Sequence, residues 1–489
     1  MGAHQHPLPR MGRVRSALTM ACVVALAGGA VQAGSEPRAG AVGVAGAQPA
    51  KWDPRIAELA DFVEHRRGLD FEHPVPVKFL TERQFQRALK VDRRHLSRLD
   101  NERLDELAAT LRALGLLRGD ANQLLEPSPS ILAFYDPDKK EIVVRGKDPD
   151  ASTNVTLVHE LTHVVQDQHF DLNKLMHRTR HGAEMAVIAL IEGDAIRTEI
   201  EYVRTLSQSD QQAYVDESDQ QARAAEGAPS SNAPAVLTFT GGVPYELGPT
   251  FVEAIAAKNG EKAIDSAFRK PPTSDEQVLT PSTYLDSVQP KSPDPPSLRA
   301  GDTKHGKAGT LGAFELFATL MLRLPPEVAL HAAEGWGGDS LIRFERDGAD
   351  CVGVAFTGDT VSDTDAITGA LDQWAALGPR GAAGIERSGA ERITFTSCDP
   401  SSRVVGGEAT FRDGETKVLN GATVLRTRAF YFGAGVASGD PMDKAQCVAD
   451  DLALDPLVRT FFETSVGPDE GQVGEITDRI RDARSACGI

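Results

Sequence analysis

Residues 159 to 163 read His159-Glu160-Leu161-Thr162-His163, and the rest of the reading follows from this string. Positions four apart share one face of a helix. A helix here presents both imidazoles side by side, at the reach a zinc ion needs. Glu160 stands next to the first imidazole, where a carboxylate can act as base on a water held by the metal. The flanking Thr156, Leu157, Val158, Leu161, Val164 and Val165 are mostly apolar and predict a buried helix. The plainer alternative is a core helix with satisfied histidines. Paired ligands and a base at this spacing favour metal-assisted hydrolysis over it.

The string is half a site, because catalytic zinc usually has a third protein ligand and an open position. His169 stands at the metzincin spacing, His-Glu-x-x-His-x-x-Gly-x-x-His. Gln166 occupies the glycine position of that pattern. The glycine there turns the chain out of the helix in a left-handed conformation that Gln disfavours. The other candidate is Glu192. It follows the apolar run Met185 to Ile191, and a carboxylate flush with a buried helix needs a strong partner, such as a metal. Gly193 would let its helix approach the first one, and Asp194 could accept the free ring N–H of a ligand histidine. A solvated face through Glu184, Glu192 and Glu199 is the competing explanation. Glu192 is the favoured third ligand, with His169 the alternative.

Upstream, Pro76 to Leu80 predicts a short strand, followed by a helix capped by Thr81 with Gln84. Arg94 to Leu117 predicts a long charged helix. Ile131 to Tyr135 and Glu141 to Arg145, joined by Asp136 to Lys140, predict a β-hairpin that could offer an edge strand to an extended peptide. Downstream, helices are expected over Gly182 to Arg204, Pro249 to Phe268 and Leu311 to Leu324. Ser207 to Pro234 is polar and predicts a mobile excursion, and Pro290 to Lys307 predicts a loop. Near Leu341 the pattern changes to mixed strand and helix, and a domain boundary is expected there, dividing 52–340 from 341–489.

The stretch from His159 to Leu172, with Ala189-Leu190-Ile191-Glu192-Gly193-Asp194-Ala195, resembles secreted bacterial gluzincin-type metallopeptidases of the thermolysin-like clan. Softer similarities lie in Pro244-Tyr245 with Gly248-Pro249, in Pro271-Pro272-Thr273-Ser274 and in Gly335-Trp336-Gly337-Gly338-Asp339. The resemblance covers roughly residues 75 to 345. It implies an α+β fold: a mostly helical zincin-like core with a small β-sheet or hairpin. It also implies zinc on His159, His163 and Glu192, Glu160 as general base, and a peptide or protein substrate. Such enzymes use a downstream Tyr or His to hold the oxyanion. Tyr245, His305 and His331 are candidates, with Tyr245 favoured because its Pro and Gly neighbours suggest a loop.

The first residues read as a leader. Arg10, Arg13 and Arg15 precede the apolar Ala17 to Ala27, and Val31-Gln32-Ala33 resembles a cleavage site. Residues 1–33 are the expected signal peptide and 34–51 a disordered linker rich in Ala, Gly and Pro. No later stretch is long and apolar enough to cross a bilayer. Of five cysteines, Cys22 falls in the leader. Cys351, Cys398, Cys447 and Cys487 predict a C-terminal α+β region with disulfides, paired 351 with 398 and 447 with 487. The net charge of −18 argues against a nucleic-acid partner and suits a protein exported to the cell envelope or beyond. Readings from other classes are an inactive zincin-fold scaffold of the envelope and an adhesion protein in which the motif is incidental.

Overall fold

The computed structural model describes residues 49–90, 96–125, 131–179, 182–227, 234–400, 407–463 and 470–489. The expected leader at 1–33, with Cys22, and the linker as far as residue 48 lie outside the described residues. The fold is mixed α+β, mostly helical, with two small sheets.

The N-terminal part opens with α1 (Ala57–Arg67), β1 (Val77–Leu80) and, after the helix Glu82–Leu89, α2 (Arg98–Ala113). The hairpin forms as β2 (Ala133–Asp136) and β3 (Glu141–Arg145), and the sheet order is β1-β3-β2. β2 is therefore an outer strand. Side chains alternate faces along a strand, and here both faces are covered. Ile142 and Val144 pack with Ile56, Val63, Leu157 and Leu161, while Val143 and Phe134 pack with Phe85, Leu89 and Tyr245.

The motif lies on α3 (Ala151–Phe170), where Asp150 accepts the Thr153 N–H at 2.8 Å as N-cap. α4 (Glu184–Thr205) carries Glu192, and α5 (Gln208–Gly227) occupies most of the segment expected to be a mobile excursion. Its Ala, Gln and Arg residues are good helix formers. Tyr214 is buried, and Glu217 accepts the Ser152 N–H at 2.8 Å. Composition alone hid that docking.

Next comes α6 (Ala235–Asn259), a single helix with Pro244 and Pro249 inside it. The expectation of a loop at Tyr245 is thus corrected. α6 is nearly all apolar and is buried between neighbouring helices, and tertiary packing overrides the cost of proline. Gly193 meets Gly248 of α6, where a Cβ on either residue would overlap backbone. Gly193 serves a close approach, as expected, but to α6 rather than to the motif helix.

The second sheet contains β4 (Thr303–Gly309), β5 (Trp336–Arg346), β6 (Ala349–Gly358), β7 (Ala383–Arg387) and β8 (Ile393–Cys398), in the order β4-β5-β6-β8-β7. Between β4 and β5 runs α7 (Ala313–Met321). β4 falls partly in the expected loop. Its residues Thr303 to Ala308 are all exposed, so no apolar alternation marks it. The composition change near Leu341 lies inside β5, and one apolar core takes Leu104, Leu190, Phe317, Val354 and Phe395 together. Disulfides join Cys351 to Cys398, facing residues of β6 and β8, and Cys447 to Cys487, as the sequence suggests. Among the described residues no helix is long and apolar enough to cross a membrane.

Candidate metal centre

α3 and α4 pack against each other, and their facing sides bring His159, His163 and Glu192 together. Each offers a ligand atom, and these atoms all lie within 4.8 Å of one another. His159 Nε2 is 3.1 Å from Glu192 Oε2 and 3.0 Å from His163 Nε2, and His163 Nε2 is 3.5 Å from Glu192 Oε2. A tetrahedral site with bonds of about 2.05 Å has ligand–ligand edges of about 3.3 Å. The triangle has that size, and the cluster could hold a metal ion.

The electrostatics point the same way. Glu192 is fully buried, and its Oε1 has no hydrogen-bond partner, a costly state for a carboxylate oxygen unless a cation meets it. Burial pushes the Glu192 carboxyl up, but the His163 charge and hydrogen bonds from both imidazoles outweigh it and hold the group at about 2. For His163 burial opposes protonation, and the Glu192 charge wins, so its pKa is raised.

Both imidazoles are fixed from behind. His163 Nδ1–H donates to Gln166 Oε1 at 2.9 Å. Gln166 Nε2 in turn donates to Ile191 O at 3.1 Å and Asp194 Oδ2 at 2.8 Å, which sets the orientation of the amide. Arg67 of α1 closes the chain, its Nε donating to Asp194 Oδ2 at 2.9 Å. His159 Nδ1 lies 3.2 Å from Glu199 Oε2. Each ring therefore turns its Nε2 toward the shared space, as a metal ligand must. Asp194, expected to accept a ring N–H directly, sits one step further back: Gln166 intervenes, and Glu199 takes the other ring. The signal for Glu199 was its spacing of two helical turns from Glu192. For Gln166 it was its place one turn after His163.

His169 is not brought to this cluster. α3 continues as helix through Gln166 to Phe170, and His169, exposed, bonds the Asp70 carbonyl at 2.8 Å. Glu160 is buried beside the trio. Its Oε2 accepts the backbone N–H of Tyr135 on β2 at 2.8 Å. The Tyr135 hydroxyl donates to Asp167 Oδ2 at 2.6 Å, as does Lys140 Nζ from the hairpin turn. Thus Glu160 and Asp167, two turns apart on α3, clip the hairpin onto the motif helix. The Tyr245 ring lies parallel to His159, with centroids 6.5 Å apart. His305 lies on the exposed outer strand β4, paired with Arg343, and His331 is exposed on the helix Pro326–Glu334. Of these candidates, Tyr245 is the one stacked beside a cluster residue. No protein-family model matches the chain, and neither curated proteins nor solved structures match it significantly.

Proposed function

We propose that this protein is an exported zinc metallopeptidase of gluzincin type, with a zincin-like core around α3 and α4. The observation that carries the reading is the convergence of His159, His163 and Glu192 on one point, next to a buried Glu160 held by an outer β-strand. Two imidazoles and a carboxylate are a catalytic zinc donor set. The disulfides fit an oxidising compartment, in line with the leader read in the sequence.

When bound, zinc supplies Lewis acidity, lowering the pKa of a coordinated water from about 15.7 toward about 7. The chain supplies the rest. Glu160 takes a proton from the attacking water and delivers it to the leaving amine. Tyr245 donates its phenolic O–H to the developing oxyanion. β2 holds the substrate: the Tyr135 amide points off the sheet to Glu160, and Ala133, two residues earlier, shares that orientation. Its backbone groups can pair with an extended peptide.

Metal analysis with the Glu160→Gln variant tests this reading. The purified protein should hold one zinc and cleave a generic protein substrate. Glu160→Gln should keep the zinc and lose activity by about 10²–10⁴-fold. Zinc without cleavage across a broad peptide library would leave the inactive scaffold as the answer, and no zinc would leave an incidental motif.

A further inference from the structure

A second, partly buried cluster lies where the starts of α4 and α7 meet β5. It brings together Glu184, Asp275, Glu315 and Asp339, and the charges acting most strongly on Asp275 are those of Glu315, Glu184 and Asp339, all acidic. Asp275 is 1% exposed, and its Oδ1 has no hydrogen-bond partner. Glu315 Oε2 is likewise shut off from solvent and without a partner. Gly312 packs closely against both. A Cβ there would stand 2.6 Å from Asp275 Oδ2 and 3.2 Å from Glu315 Oε2. Asp339 is satisfied by the N–H groups of Leu311 and Gly312 and by Trp336 Nε1, at 2.8, 2.9 and 2.9 Å. Glu184 Oε2 accepts the Gly182 N–H at 2.6 Å.

Something must neutralise this cluster. The nearby helix N-termini supply about half a charge each, too little for this many carboxylates. Protons are the other internal solution, since burial and the surrounding charges push Asp275 well up and Glu315 to about 8. No donor of the described residues reaches Asp275 Oδ1 or Glu315 Oε2, however, and a cation would meet both oxygens at once. The donors are all oxygen, which suits a hard cation and not a metal that prefers imidazole or thiolate. Calcium takes oxygens at about 2.3–2.6 Å in a flexible shell that admits water.

We propose that Asp275 and Glu315, with Glu184 beside them and water completing the shell, bind a calcium ion. The ion ties the segment before the short helix Glu276–Leu279 to the first turns of α4 and α7. It thereby anchors α4 two turns before Glu192. The site is independent of the zinc reading, because calcium is poorly served by imidazoles.

The test uses the full chain, stripped with chelator and titrated with calcium by calorimetry. Terbium serves as a second probe, because Trp336, bonded to Asp339, can sensitise its emission. One calcium should bind with Kd at or below about 1 mM and raise the melting temperature. Terbium emission should appear and be displaced by calcium. Asp275→Asn should weaken calcium binding at least about tenfold, as expected when one charged ligand is lost. If that variant is not folded by circular dichroism, Glu315→Gln takes its place. Absence of calcium uptake up to about 10 mM, well above the weakest extracellular class, overturns the proposal. So does uptake that the folded variant leaves unchanged. Neither result touches the zinc measurement.

Discussion

α4 places carboxylates at two sites, a buried one at Glu192 and a half-buried one at Glu184, and their surroundings differ. At Glu192 the partners are imidazoles, and a hydrogen-bonded layer stands behind each ring: Gln166, Asp194 and Arg67 behind His163, and Glu199 behind His159. At Glu184 the strong neighbours are other carboxylates, and Asp275 and Glu315 each present an oxygen with no partner. The first place has its ligand atoms already gathered and aimed. The second gathers negative charge with two oxygens left unpartnered. A metal at Glu192 would be held by preorganised donors, and the one proposed at Asp275 by electrostatic demand.

The largest effect should come from breaking the first place. Glu192→Ala should lower zinc affinity by well over about 100-fold, more than loss of a supporting residue costs, whereas His169→Ala should leave zinc content unchanged. Metal analysis after dialysis reads both. The opposite pattern would make His169 the ligand and require α3 to unwind at Gln166.

Next in size is the layer behind the rings. Gln166→Ala should cost about 10–100-fold in zinc affinity, and Glu199→Gln a similar or smaller amount. Gln166 is the more telling residue. Removing its amide frees the His163 ring and also takes from Asp194 Oδ2 one of its hydrogen bonds, leaving that of Arg67. Competition with a zinc chelator gives both numbers. Equal affinity in all three proteins would mean that the trio is held by helix packing alone.

The three gathered side chains were legible in the sequence because helical periodicity fixes them: His159 and His163 are one turn apart, and Glu192 follows an apolar run that had to be buried. The supporting residues were harder to read, because their partners are remote in sequence, Arg67 from α1 and Tyr135 from the hairpin. Periodicity says which residues share a face but not what that face meets. The same limit explains Tyr245. Its neighbours Pro244, Gly248 and Pro249 carry loop propensity, yet the segment is helix because α6 is buried and Gly248 seats against Gly193. β4 lacked any pattern to read, being exposed along its length.

The smallest effect separates charge that must be met by a cation from charge that is simply suppressed. Glu276 is adjacent to Asp275 but sees different groups, Asp359 and Lys291, and its Oε1 also lacks a partner. Burial first, then the Asp359 charge, raises its pKa from 4.5 to about 8, with Lys291 opposing. In the unfolded chain this carboxyl loses its proton near the ordinary 4.5, and in the folded chain it keeps it to about 8. Between those values the folded state binds more protons, so this group makes stability fall as pH rises. Above about 8 the penalty is fully present. Glu276→Gln has no proton to lose. Its advantage over the wild type should be near zero at about pH 4.5, grow through neutrality and level off above about pH 8, reaching a few kcal/mol at most and a few degrees in melting temperature. Thermal melts of both proteins across that range, in chelator so that no cation at Asp275 contributes, give the curve. A gap independent of pH would show that Glu276 is ionised in the folded protein, and that its pocket, like the one at Asp275, needs a positive partner.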